Sequence, residues 1–301
     1  MSPMPEAPAP ARAPSDQPLA DPVLPISVVI LTFNAADTIG ATLASVRDLS
    51  GDIHVVDSGS TDATLEIAAA AGAIITRHPF ESYGAQRNWA IDTLPLAHPW
   101  QLHLDADERV SDGLAAELRV LFAGDGPPGG IVGYYVPRLV HFHGQPIRHG
   151  GMWPIHHMRL FRTGRGRCES RKYDQHFFVD GPSGKLANPM IDDIRLSLAE
   201  WTARHNRWAD AEVDEILAPS GSGVIQPGTG DPVAEKRALR GRYNRAPLFW
   251  RALGLFFYRY VLKRGFLDGR WGLIFFVLQT FWFRFLVDAK LHERRQKMVE
   301  K

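Results

Sequence analysis

The run ISVVILT at residues 26–32 constrains this chain more than any other feature. It is apolar and β-branched without alternation, so a strand built from it must be covered on both faces. Asn34 and Asp37 follow, and then an Ala/Leu pattern through Val46 that reads as a helix. The same order recurs downstream. Asp52–Asp57 reads as a strand, with Ser60 or Asp62 placed to cap a helix over the Ala-rich run to Ala71. Ala73–Thr76 reads as a third strand and Tyr83–Leu94 as a third helix. Trp100–Leu104 is a fourth strand ending in Asp105-Ala-Asp107-Glu108, and Ser111 caps a helix to Phe122. Strands alternating with helices of this length predict an α/β chain: a Rossmann-like, mixed, mostly parallel sheet with helices on both faces.

Sheets of this kind bind ligands outside the carboxyl ends of their strands. Thr32–Asn34, Asp57 and Asp105–Glu108 all fall at such ends, so three polar clusters from distant sequence are expected on one edge. Asp57 leaves a buried strand into Ser-Gly-Ser-Thr-Asp62, where its carboxylate can accept the imide N–H of a uracil-type base. Asp105 and Asp107, two residues apart in a tight turn, can share one divalent cation, Mg²⁺ or Mn²⁺, with a diphosphate. Arg87, on the helix before that strand, offers a guanidinium to the same diphosphate. In Tyr173-Asp174-Gln175-His176, a carboxylate near the cleft can take a proton from an attacking hydroxyl, and His176 can ligate the metal or orient phosphate. His141, His143, His149, His156 and His157 crowd one stretch without a thiolate or a helical i, i+4 pair, which favours polar lining of an acceptor cleft over zinc.

Composition narrows the classes further. Cys168 is the only cysteine, which excludes a disulfide framework and any cysteine-based zinc finger. Residues 231–301 carry 16 Lys/Arg against 6 Asp/Glu, whereas residues 1–230 carry 18 against 27. An acidic body with a basic end argues against nucleic acid as a partner and for an anionic surface docked by the C-terminal segment.

In order, ISVVILTFNAADTIGATLASV, VVDSGSTDAT, GAQRNWAI and LHLDADE resemble the family 2 glycosyltransferases of the GT-A fold. The later segments GGMWPIHHMRLFR, YDQHF and RHNRWADAE are similar to bacterial lipopolysaccharide-core and surface-polysaccharide transferases. The resemblance implies that Asp57 contacts the nucleotide base, with Thr32 and Asn34 lining its pocket. It implies that Asp105 lies near ribose and metal, that Asp107 binds the metal, and that Arg87 holds the diphosphate. The family's base is an Asp or Glu of the second half; here Asp174 is the candidate and Glu169 the alternative. The implied activity is inverting, metal-dependent transfer from a UDP-sugar to a lipid-linked glycan acceptor.

The expected organisation is a lead-in over residues 1–25, which hold 8 of the 22 prolines, a catalytic domain over 26–217, a Gly/Ser/Pro linker over 218–232, and a basic aromatic segment over 233–301. Ile191–Leu217 reads as one long helix. In the last segment the longest uncharged run, Trp271–Phe283, ends at Arg284. It is shorter than the roughly 20 residues a bilayer requires. Amphipathic helices lying in an anionic leaflet are therefore expected, placing a peripheral protein on the cytoplasmic face of the inner membrane. A nucleotidyltransferase is disfavoured because Thr32-Phe-Asn-Ala-Ala36 replaces the Gly-rich basic loop such enzymes need. A non-catalytic scaffold is disfavoured by the intact Asp105 and Asp107.

Overall fold

The computed structural model describes residues 23–170, 175–218 and 232–299. Strands β1 (Ile26–Thr32), β2 (Asp52–Asp57), β3 (Ile74–Arg77) and β4 (Trp100–Asp105) are parallel, in the order β3-β2-β1-β4. Between them run helices α1 (Ile39–Val46), α2 (Thr64–Ala70) and α3 (Tyr83–Thr93). The unbroken apolar character of β1 has its expected cause. Ile26, Val28 and Ile30 pack in one cluster with Leu43 of α1 and Ala68 of α2, whereas Val29 packs with Val56, Ala90 and Leu94 in another. Register places Thr32 beside Asp57 and Leu31 beside Asp105, which brings the three polar strand ends to one edge.

The second half widens the sheet. β5 (Glu108–Val110) leads into α4 (Asp112–Leu121), which Ser111 caps by accepting from Leu114 N at 3.2 Å. Next come β6 (Gly133–Phe142), β7 (Gln145–Pro146), β8 (Ile155–Arg162), β9 (Gly166–Cys168), β10 (Phe177–Val179), β11 (Ser183–Lys185) and β12 (Met190–Ile194). β8 lies antiparallel between β4 and β6, and β12 runs parallel to β6 and antiparallel to β5. The result is a mixed ten-stranded sheet, with β9 and β10 as a separate hairpin.

Two local expectations are corrected. Residues 191–217 are not one helix: Met190–Ile194 is β12, and the helix α5 begins at Leu198 and runs to Leu217. Pairing on both sides, with β5 and β6, overrides the helical spacing of Ile191, Ile194 and Leu198. Ser197 then starts α5 with a reciprocal capping box to Glu200. Nor does Ser60 cap α2, which begins at Thr64 without a side-chain cap; the Ser60 hydroxyl accepts from Asn34 N at 2.9 Å instead.

The C-terminal segment packs on this body. It comprises α6 (Pro232–Arg245), α7 (Trp250–Phe257) continued by a π-helical stretch Tyr258–Leu262, then α8 (Gly269–Phe276) and α9 (Phe283–Val299) joined by π-helical Val277–Trp282. Phe275 and Phe276 bury against Phe142 and Trp201, and Phe283, Val287 and Leu291 against Ala209 and Val213 of α5. Buried charges are paired across the seam: Asp288 with Arg251, and Glu212 with both Arg240 and Arg284. The helix does not stop at Arg284. The run Gly265–Val299, 35 residues, is long and apolar enough to cross a membrane by length and composition. The expected lead-in lies outside the described residues up to residue 22, as do residues 219–231 of the expected linker.

Candidate active site

The carboxyl edge of β1, β2 and β4 is built by cross-links between loops. Asn34, with φ +45°, donates its backbone N–H to Ser60 Oγ at 2.9 Å and accepts from Thr61 N on Oδ1 at 2.8 Å. Ala35 N and Ala36 N donate to Thr64 Oγ1 and Asp62 Oδ2, so the loops after β1 and β2 hold one another. Asp57 is fully buried at the end of β2, and its carboxylate folds the turn by accepting from Gly59 N at 3.0 Å and Ser60 N at 3.1 Å. Thr32 is buried beside it with a hydroxyl that has no hydrogen-bond partner among the described residues. The hydroxyl is a buried, unsatisfied polar group at this edge.

Next to this edge lies a cluster of carboxylates and arginines. Arg87, projecting from α3, donates to both oxygens of Asp105 at 2.9 and 3.2 Å, with Phe177 and Tyr83 rings against its guanidinium. Arg159 of β8 donates to Asp105 Oδ2 at 3.2 Å and to Glu108 Oε1 at 2.6 Å. Glu108 in turn accepts from Asp105 N on Oε2 at 3.0 Å, locking the turn. Burial alone would raise Asp105, but Arg87 and Arg159 outweigh it and hold its carboxyl well below the usual carboxylate range.

Asp107 is in the opposite situation. Half-buried, it makes no hydrogen bond or ion pair through its carboxylate among the described residues. Burial first, then repulsion from Asp192, Asp105 and Glu108, pushes it up to about 8. Glu108 rises to about 7, mainly by burial, although Arg159 opposes the shift. Arg138, 3.4 Å from Asp192, and Arg204 of α5 only partly offset this negative field. Among the described residues no three His, Cys, Asp or Glu side chains form a metal cage on their own. An exposed edge of one or two carboxylates, completed by phosphate and water, is nevertheless the donor set that Mg²⁺ and Mn²⁺ take. Asp107 and Asp105 therefore fit such an ion.

His176 and Glu169 lie on the second wall. His176 is 9% exposed; its backbone N donates to Glu169 Oε2 at 3.2 Å, and its ring centroid is 6.0 Å from that of His157. Glu169 is buried at the end of the β9–β10 hairpin. Asp174 lies outside the described residues. The crowded histidines take separate places: His149 binds Asp268 through Nδ1 at 2.6 Å, His143 stacks on Trp271, and His156 and His157 lie on β8.

Arg159, Asp192 and Arg204 escaped the sequence reading. The alternation of Arg159 within MRLFR was the available signal, since one arginine inside a buried strand needs a charged partner. Asp192 was hidden by the helical reading of its segment.

Residues 27–174 match Glycosyl transferase family 2. The lipopolysaccharide core biosynthesis glycosyltransferase LpsC of Rhizobium meliloti (strain 1021) is 28% identical over 201 residues, covering 64% of this chain and 72% of LpsC. An uncharacterized glycosyltransferase of Rickettsia bellii (strain RML369-C) is 38% identical over 98 residues, and the match spans only 33% of each chain. Among solved structures, glucosyl-3-phosphoglycerate synthase from Mycobacterium tuberculosis in complex with Mn²⁺, UDP and glucosyl-3-phosphoglycerate aligns with a TM-score of 0.41 at 16% identity, covering 67% of this chain and 83% of that one. The same enzyme with Mn²⁺ and UDP-glucose aligns with a TM-score of 0.31 at 23% identity, over 38% and 43%. By its matched segment, residues 27–174, and the motifs that build this edge, the chain carries a glycosyl transferase family 2 domain.

Proposed function

We propose that this glycosyltransferase is inverting and metal-dependent, and that it moves a sugar from a nucleotide-diphosphate donor, a UDP-sugar, to a lipid-linked saccharide of lipopolysaccharide or surface-polysaccharide synthesis. The observation that carries the reading is the unopposed Asp107 carboxylate, set beside Asp105 at the edge where Thr32, Asn34 and Asp57 converge. Similarity to LpsC supports a glycan acceptor of this class.

In this mechanism Thr32, Asn34 and the Asp57 turn bind the nucleoside, and Asp105 and Asp107 hold Mg²⁺ or Mn²⁺. Bound there, the ion supplies positive charge to the diphosphate leaving group. Arg87, held by Asp105, faces that diphosphate, so charge developing at the leaving oxygen meets a fixed guanidinium. Asp174 takes the proton of the acceptor hydroxyl as it attacks C1, with Glu169, which accepts from His176 N, as the alternative base. Attack opposite the leaving group gives inversion without a covalent enzyme intermediate.

A membrane-bound acceptor fits the C-terminal segment. Trp250, Leu253, Phe257, Tyr258 and Val261 are exposed at helical spacing, with Lys263, Arg264 and Arg270 exposed nearby. Such a stripe docks on the cytoplasmic face of the inner membrane as a peripheral anchor, with its cationic chains at the anionic head groups. A thermal-shift panel of UDP-, GDP- and dTDP-sugars, with and without Mn²⁺ or Mg²⁺, tests the donor half. Metal-dependent stabilisation by one nucleotide sugar, lost in Asp107→Ala, is the expected result; no shift with any donor under any metal condition would remove the reading.

A further inference from the structure

Away from the donor edge, a cavity of about 560 Å³ opens between β5, the β6–β7 turn, β12 and α8, lined by Arg109, His141, His143, Asp193, Arg195 and Trp271. It lies across the sheet from the carboxylate cluster. Side chains alternate along a strand, so Asp192 and Asp193 point to opposite faces. Asp192 acts on Asp107, and Asp193 faces the cavity.

The charge of this cavity is unbalanced. Arg109 and Arg195 converge on the same oxygen, Asp193 Oδ2, at 3.7 and 2.9 Å. One carboxylate thus holds two guanidinium groups side by side, and a net positive charge remains at the wall. Each guanidinium has further N–H donors than Asp193 can occupy. The neighbouring wall is polar and aromatic. His143 and Gly144 form the two-residue turn between β6 and β7, both at positive φ, +48° and +79°. Histidine is an unfavourable choice for the first of these positions, where Asn or Gly is usual. Its ring is held there by stacking on Trp271, centroids 4.3 Å apart, and its Nε2 is buried without a hydrogen-bond partner among the described residues. Paired guanidinium groups beside the stacked His143 and Trp271 rings are a donor set and wall for a tetrahedral anion carried on a larger group.

We infer that this cavity is a second ligand site, separate from the donor edge, that binds a phosphate group carried by a saccharide or a lipid head group. Asp193 orients the two arginines, and the His143 ring, stacked on Trp271, walls the site at the root of the C-terminal helices.

The test uses the full chain. It is titrated calorimetrically with inorganic phosphate and glycerol phosphate, and sedimented with phosphatidylcholine vesicles made with and without phosphatidic acid. Arg195→Gln changes an exposed side chain, and His143→Asn installs the residue the turn prefers, so both variants keep the fold. UDP binding with Mn²⁺ serves as the control and is expected to be unchanged in both. Saturable phosphate binding, weakened about tenfold or more in each variant, is the expected result. Capture on phosphatidic acid vesicles that weakens in the same variants supports the lipid source. Phosphate binding without variant-sensitive capture supports the soluble saccharide source. If the wild type binds neither probe, or if Arg195→Gln and His143→Asn bind as the wild type does while UDP binding is intact, the inference is overturned.

Discussion

Arg159 joins two carboxylates that would otherwise repel each other, and its removal leaves a buried charge without a partner. Glu108 is 2% exposed and Arg159 5%. Arg159→Met should therefore cost about 3–5 kcal/mol of stability, measurable as a loss in denaturant midpoint. The double variant Arg159→Met/Glu108→Leu should recover most of that stability but not the activity, because Asp105 still loses a partner. Gly84 makes a second residue-scale test. A Cβ at this position of α3 would collide with the backbone carbonyl of Glu169, which cannot rotate away. Gly84→Ala should lower stability by about 1–3 kcal/mol and displace the hairpin that carries the second wall, which a combined thermal melt and UDP titration would register.

Among the elements, β1 to β4 and the helices between them were legible in the sequence because each strand end carries its own chemical signature. The ISVVILT run announces two covered faces, and Asp57 and Asp105 each close an apolar strand. β12 was not legible: Met190–Ile194 has no turn signal before α5, and only its pairing with β5 and β6 makes it a strand. Asp192 reaches the cluster through that pairing and Arg159 through the pairing of β8 with β4 and β6, so spacing alone could not assign their partners. Asp105, Asp107 and Arg87 were found by type and position, but the direct Arg87–Asp105 ion pair follows from how α3 packs, which the sequence does not encode locally.

The seam between α5 and the C-terminal helices carries its own pH dependence. His205 is buried against Trp201, ring centroids 3.4 Å apart, donates from Nδ1 to Trp201 O, and meets the Gln279 side-chain amide through Nε2. Burial holds the imidazole down to about 4, although both hydrogen bonds oppose the shift. The folded value lies below the ordinary 6.5, so the stability it contributes is present above pH 6.5 and is lost as pH falls from 6.5 towards 4. The loss approaches about 3 kcal/mol when the ring is fully protonated in the unfolded chain. His205→Asn should flatten the thermal melting profile over that window relative to the wild type.

At the scale of the whole molecule, an acidic catalytic body is joined to a basic segment that buries one side against α5 and leaves aromatic residues exposed on the other. Trp250 is 73% exposed and Phe257 53%. The Trp250→Ser/Phe257→Ser variant should bind anionic vesicles more weakly without altering UDP affinity, and added salt should weaken wild-type capture further. Equal vesicle binding by the variant and the wild type would place the stripe against another protein surface instead.

The proposed nucleotide-diphosphate site joins the strand ends of β1, β2 and β4, with Asp107 to hold a divalent ion. Electron paramagnetic resonance titration of Mn²⁺ into the full chain, with and without UDP, tests it most directly. Mn²⁺ should bind weakly alone and at least about tenfold more tightly with UDP, because phosphate oxygens complete the carboxylate donor set. Asp107→Asn should abolish that gain while leaving the fold intact. Mn²⁺ binding that ignores UDP, or that persists unchanged in Asp107→Asn, would contradict the account.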